Sequence, residues 1–327
     1  MRHLYFWKMT LLDVKNVSKQ IGGNKIVNNI SFGQEALQKM AIAGQSGAGK
    51  STLLKIISGL VQPDAGVTLF NGHRVIGPEE KLLSGHKEIA YLSQHYELHN
   101  NYVVKDLVCF QLPIDEKEAM HIFDLCRVGH LLERRTDQLS GGEKQRIALC
   151  GLLVKSPRLL ILDEPYSNLD LINTEMLKSV LEAVTDRLQI TCLLTSHDPY
   201  DILSWADQIL VMGEGIIVQQ GSPQDIYHRP VNEYVAGLFG KYTVLPPELA
   251  GKFGLPANGQ PGILRPEDFV ISGVSGDGVP GLIRKIRFLG GSYEMEVAAG
   301  DLTIAVRTTG NQWQVGQEIS LTRKEPG

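Results

Sequence analysis

The pattern of apolar and polar positions changes period several times along this chain. Residues 11–17 (LLDVKNV) alternate loosely, the period-two pattern of a half-buried strand, and 26–32 repeat it after the turn pair Gly22-Gly23. Residues 40–44 are a short apolar run leading into glycines, which reads as a strand buried on both faces. The period then becomes helical. Leu53, Leu54, Ile56, Ile57 and Leu60 predict one face of a helix over 49–60. Strand character returns over 67–74, around Asn71-Gly72. Residues 95–138 read as helical with polar connections. From Ser140 the patterns alternate: a helix, a strand over 159–162, a helix over 176–188, a strand over 191–195 and a helix over 199–206. That βαβα order predicts a parallel sheet with helices on its faces. Residues 209–218, broken by Gly213-Glu214-Gly215, predict a hairpin.

The pattern shifts near residue 240. The stretch 241–261 (KYTVLPPELAGKFGLPANGQP) is rich in proline and glycine and reads as a linker. Beyond it, 281–288, 293–297, 302–307 and 318–322 are short alternating strands at close spacing, the mark of a small β-barrel or sandwich. The expected organisation is an α/β domain over 1–240, a linker, and a small all-β domain over 262–327. A length of 327 residues suits two domains. No segment repeats.

Composition narrows the function classes. The net charge of −4 gives no global field toward nucleic acid or anionic lipid, and no run of five basic residues occurs, so no nucleic-acid partner is expected. Cys109, Cys126, Cys150 and Cys192 have no CxxC spacing and sit among apolar neighbours, which predicts reduced, buried thiols. The apolar patch Leu4–Trp7 is too short for a signal peptide or a membrane span, and Met9 offers an alternative start. No window reaches eighteen apolar residues. If the protein works at a membrane, another subunit spans it.

Four segments carry chemistry. The first is Gly44-Gln45-Ser46-Gly47-Ala48-Gly49-Lys50-Ser51, followed by Thr52, between a predicted strand and a predicted helix. Glycines let backbone N–H groups approach a phosphate, and the helix start aims its positive end at the same oxygens. Lys50 would bridge the β- and γ-phosphates, and the Ser51 hydroxyl would ligate Mg²⁺. A bare glycine turn is the bland alternative, and the Lys-Ser-Thr that follows argues against it. The second is an apolar strand ending in Asp163 and Glu164, at the edge where parallel sheets bind ligands. There Asp163 would hold Mg²⁺, directly or through water, while Glu164 would orient and deprotonate the attacking water. Two solvated acids are the bland alternative. The third is Ser140-Gly141-Gly142-Glu143, a helix start with a capping box. Read sharply, it is an anion site without a phosphate loop of its own, so it must reach a partner's nucleotide. The fourth is a pair of single residues, Gln94 and His197.

LSGGEKQR (residues 139–146), together with these other motifs, resembles the nucleotide-binding subunit of an ABC transporter, over about residues 11–240. The resemblance implies a P-loop NTPase fold of ABC type, with a helical subdomain over about 95–138. It implies ATP and Mg²⁺ as cofactors, with Ser51, Gln94 and Asp163 on the metal. It gives Gln94 contact with the attacking water and a relay to the membrane subunit. It gives Asp170 coupling of two active sites across a dimer, and His197 contact with the γ-phosphate. Residues 262–324, through ILRPEDFVI and GLIRKIRFLGGSYEMEV, are similar to the accessory β-domain (TOBE-like) of importer ATPases for sugars, polyamines, ferric iron or oxyanions. The implied partners are a second copy of the chain, membrane permease subunits and an extracytoplasmic solute-binding protein. The implied location is the cytoplasmic face of the membrane. An exporter ATPase, a non-transport ABC ATPase and a regulatory nucleotide sensor are the alternatives. The chain departs from the family at Ile21, where an aromatic residue commonly stacks on adenine. It departs again at Leu98-His99-Asn100-Asn101, which should line the groove for the membrane subunit, and in the short stretch from Gln94 to Ser140.

Overall fold

In the computed structural model, residues 10–94, 98, 101–109, 114–255, 262–273 and 278–324 are described. They fall into two compact units that divide between Pro223 and Gln224. Residues 1–9, which hold the expected apolar start and Met9, and most of the 95–101 segment lie outside the described residues.

The first unit carries ten strands: β1 (Thr10–Ile21), β2 (Asn24–Glu35), β3 (Lys39–Ala43), β4 (Ala65–Phe70), β5 (His73–Arg74), β6 (Ile89–Leu92), β7 (Leu159–Asp163), β8 (Thr191–Thr195), β9 (Gln208–Gly213) and β10 (Ile216–Gly221). They form two sheets. The antiparallel one runs β2-β1-β4-β5, and the six-stranded one runs β10-β9-β3-β8-β7-β6. Strands β9, β3, β8, β7 and β6 are mutually parallel, and β10 adds an antiparallel edge. This is the expected α/β core. β7 and β8 are buried at every residue, as continuous apolar runs in a sheet covered on both faces must be. One cluster buries Leu53, Leu54, Ile56 and Ile57 of the helix Lys50–Ile57 with Met40, Ile42, Leu159 and Ile161. Another buries Leu160, Leu162 and Leu194 with Ile147, Leu149, Leu177 and Leu181 of the later helices.

Several element limits differ from the sequence reading, each for a local reason. The first helix stops at Ile57 rather than Leu60, because Gly59 turns left-handed (φ 73°) and its N–H closes back on the Ile56 carbonyl. The segment read as helical with polar connections over 95–138 holds, among its described residues, the helices Val104–Cys109 and Glu116–Leu125 and short 3₁₀ turns at 129–131 and 136–138. The last helix of the series closes at Leu203 rather than Ala206. The turns expected at Gly22-Gly23, at Asn71-Gly72 and within Gly213–Gly215 are present, with positive φ at Gly22, Gly23, Asn71, Gly72, Glu214 and Gly215. Cys126, Cys150 and Cys192 are buried, as expected.

The second unit carries β11 (Thr243–Leu245), β12 (Gly262–Leu264), β13 (Phe269–Ser272), β14 (Val279–Phe288), β15 (Tyr293–Ala299), β16 (Leu302–Thr308) and β17 (Glu318–Arg323). β11 pairs with β12, and the other five form an antiparallel sheet in the order β13-β17-β14-β15-β16. The described part of the stretch read as a linker, residues 241–255, is structured instead. It contributes β11, a short helix Pro247–Ala250 and core residues Leu245, Ala250 and Phe253. Its proline content misled because Pro247 opens a helix, where a missing N–H costs nothing.

Candidate functional site

The site forms where β3, β6, β7 and β8 end. Parallel pairing sets Tyr91 beside Ile161 and Asp163 beside Thr195, so three strand ends present side chains to one point. The Asp163 carboxylate, 4 % exposed, is that point. Ser51 Oγ donates to its Oδ1 at 3.0 Å and Thr195 Oγ1 to the same oxygen at 2.9 Å. Tyr91 donates to Oδ2 at 2.8 Å. Burial and the neighbouring Asp163 charge push the Tyr91 phenol well above its ordinary value, so it stays protonated and acts as a donor.

The loop 44–49 wraps from the end of β3 to the helix that begins at Lys50. Gly44, Gly47 and Gly49 have φ of 155°, 84° and 95°. A Cβ at Gly49 would stand 2.2 Å from the Ile26 carbonyl oxygen, and one at Gly44 2.4 Å from that of Met212. Glycine is therefore required twice over at these positions, by space and, at Gly49, by the left-handed backbone. Gln45, Ser46 and Gly47 are exposed, while Ala48 is buried. The Lys50 ammonium donates to the carbonyls of Gly44 at 2.7 Å and Gln45 at 3.0 Å. Burial lowers its pKa, and the charges of Glu164 and Asp163 oppose that shift. Thr52 follows Ser51 in the same helix, half-buried.

Glu164 follows Asp163 with a left-handed φ of 48°, a strained setting for a side chain other than glycine. Its N–H donates to Thr195 Oγ1 at 2.9 Å. Gln94 Nε2 donates to Glu164 Oε2 at 3.3 Å, and His197 Nδ1 lies 3.6 Å from the same oxygen. The His197 side chain is 68 % exposed, so its ring can reach an incoming group. Gln94, Asp163, Glu164, His197, Lys50 and Ser51 thus share one constellation.

Ser140 caps the helix Gly141–Leu153 with the full capping box. Its Oγ accepts from Glu143 N–H, and Glu143 Oε2 accepts from Ser140 N–H at 2.8 Å. That hydrogen bond from the Ser140 N–H holds the Glu143 carboxyl below its usual range. A Cβ on Gly142 would meet Asn173 Oδ1 at 2.6 Å, so glycine lets this helix start lie against the helix Leu171–Leu188. Asp170 caps that second helix, accepting from Asn173 N–H at 2.8 Å. Ile21, at the end of β1, is exposed.

Two contributors escaped the sequence reading: Tyr91 and Thr195. Each is a polar residue following apolar neighbours at the carboxyl side of a short strand, and that contrast was the available signal. For Mg²⁺ the donor set fits. The ion takes few carboxylates and fills its sphere with water and substrate phosphate. The Ser51 hydroxyl beside one Asp163 oxygen suits that habit better than an all-protein cage would. Among the described residues no cluster of three or more His, Cys, Asp or Glu side chains forms such a cage.

Residues 27–167 match the family described as ABC transporter. The sulfate/thiosulfate import ATP-binding protein CysA of Rhodopseudomonas palustris is 32 % identical over 317 residues, covering 89 % of each chain. The glucose import ATP-binding protein GlcV of Saccharolobus solfataricus is 35 % identical over 260 residues, 75 % of this chain and 71 % of that one. Among solved structures, cbiO1 of Clostridium perfringens, part of the transporter complex cbiONQ, superposes with a TM-score of 0.59 at 26 % identity, over 66 % of this chain and 90 % of that one.

Proposed function

The chain belongs to the import-type ATP-binding subunits of ABC transporters, and on that premise we propose how its own residues carry out the cycle. It is an ATPase that energises solute import through a separate permease. No helix among the described residues is long and apolar enough to cross a membrane. We place the subunit on the cytoplasmic face, held by the permease and served by an extracytoplasmic solute-binding protein.

The triphosphate lies in the loop 44–49, with backbone N–H groups and the Lys50 ammonium on its oxygens. Ser51, Asp163 and Gln94 would hold Mg²⁺, which would supply charge neutralisation to the transferring phosphate. Glu164 accepts the proton of the attacking water. Gln94 and His197, both at Glu164 Oε2, orient that water and the γ-phosphate. Ser140–Glu143 of a second copy close over the same nucleotide, so the working unit is a homodimer with two shared sites. Asp170, at the start of the helix that touches Gly142, couples one site to the other. The solute is selected by the other subunits: relatives of similar identity are named for sulfate/thiosulfate and for glucose.

The observation that carries this reading is the division of labour between adjacent acids. Asp163 is buried and fixed by three hydroxyls, while Glu164 is turned by its backbone toward Gln94 and His197. Glu164→Gln should retain ATP binding, lose about 10²–10⁴ in turnover and accumulate as an ATP-bound dimer on size exclusion. Undiminished hydrolysis by that variant defeats the assignment.

A further inference from the structure

We propose that Tyr91 is a positioning residue of the metal site, fixing which oxygen of Asp163 faces the cation. The inference rests on the ATPase reading above and goes beyond it, because no motif of that reading includes Tyr91. The Asp163 carboxylate is held from two sides. Oδ1 accepts from Ser51 and Thr195, and Oδ2 accepts from Tyr91 alone of the bonds described above. A serine hydroxyl has one hydrogen and two lone pairs. With its hydrogen committed to Oδ1, Ser51 keeps a lone pair for a cation, so Oδ1 is the oxygen on the cation side. Oδ2 is the rear oxygen, and the phenol is its anchor.

The anchor matters because the carboxylate is almost fully buried. Water cannot replace a lost donor there, and an unpaired charged oxygen is costly. Without the phenol, the carboxylate is free to rotate toward other donors, and Oδ1 loses its aim. The anchor is also stiff. Tyr91 stands in β6, in parallel register with β7, which carries Asp163, so the phenol and the carboxylate ride on adjacent strands. Partners that orient a metal ligand from behind typically govern 10–100-fold in metal affinity.

The test uses the full chain and its Tyr91→Phe variant, which keeps the ring and removes only the hydroxyl. Mn²⁺ is titrated in the presence of ADP and followed by electron paramagnetic resonance. ADP affinity is measured separately in EDTA, and melting temperature is recorded for both proteins. The expected result is Mn²⁺ affinity weaker by about tenfold or more, with metal-free ADP affinity unchanged. Hydrolysis by the variant should recover as Mn²⁺ is raised to saturation. Parent-like Mn²⁺ affinity in the variant overturns the proposal. So does a parallel loss of ADP affinity in EDTA, which would mark a general packing defect. If the parent itself takes up no Mn²⁺ with ADP, the ATPase site reading fails, and this inference with it.

Discussion

At the scale of single residues, the site is a set of side chains whose freedom has been removed by neighbours. Gly49 shows this in reverse, since the loop needs the absence of a side chain. Gly49→Ala must place a Cβ 2.2 Å from a backbone oxygen at a φ of 95°. We expect a loss of about 1–3 kcal/mol from backbone strain alone, read as a lower urea midpoint, with nucleotide binding lost as well. Glu164 carries the opposite strain, a left-handed backbone on a residue with a side chain. Glycine at that position would relax the backbone and remove the carboxylate. Glu164→Gly should therefore fold at least as stably as the parent while losing about 10²–10⁴ in hydrolysis, a separation that denaturation and phosphate-release assays would show side by side.

At the scale of elements, Ser140 belongs to two structures. Within one copy it caps the helix Gly141–Leu153, and removing such a cap costs about 1 kcal/mol. If it also closes a partner's nucleotide site, Ser140→Ala should cost far more in turnover than in stability. Comparing the melting shift with the change in kcat decides between the two roles. The elements also mark how far the sequence could be read. The glycine loop, the acid pair and the capping box were legible because each is dictated by neighbours within a few residues. Tyr91 and Thr195 were not. Their importance arises from the parallel register of β6, β7 and β8, and no local pattern states which residues of three separated strands will stand abreast. The 241–261 stretch failed for a different reason. Proline and glycine mark both loose connections and tight helix ends, and composition alone does not separate them.

At the scale of the whole molecule, each unit has its own apolar core, one group of clusters built from residues before 223 and one from residues after 224. The second is pinned by Arg265, which is buried and donates to the carbonyls of Tyr227, Ala236, Gly240 and Lys241 while its guanidinium lies over the Tyr227 ring. Arg265→Leu removes one donor from each of those carbonyls and should destabilise the second unit by at least about 2 kcal/mol. Calorimetry should then show one transition moving and the other standing still. Glu294 gives the same unit a pH signature. Burial raises its carboxyl, but the hydrogen bonds and charges of Lys241 and Arg287 outweigh that and hold it below 4.5. A depressed folded value stabilises at neutral pH, and that stability drains away as acidification passes from the unfolded value through the folded one. The second transition should therefore fall in temperature below about pH 4.5. Finally, the Lys50 ammonium rests on two carbonyls of its own loop, a brace of neutral dipoles that holds the curve of the loop from within. In the proposed dimer, a loop already braced in this way would leave less ordering entropy to surrender when nucleotide binds.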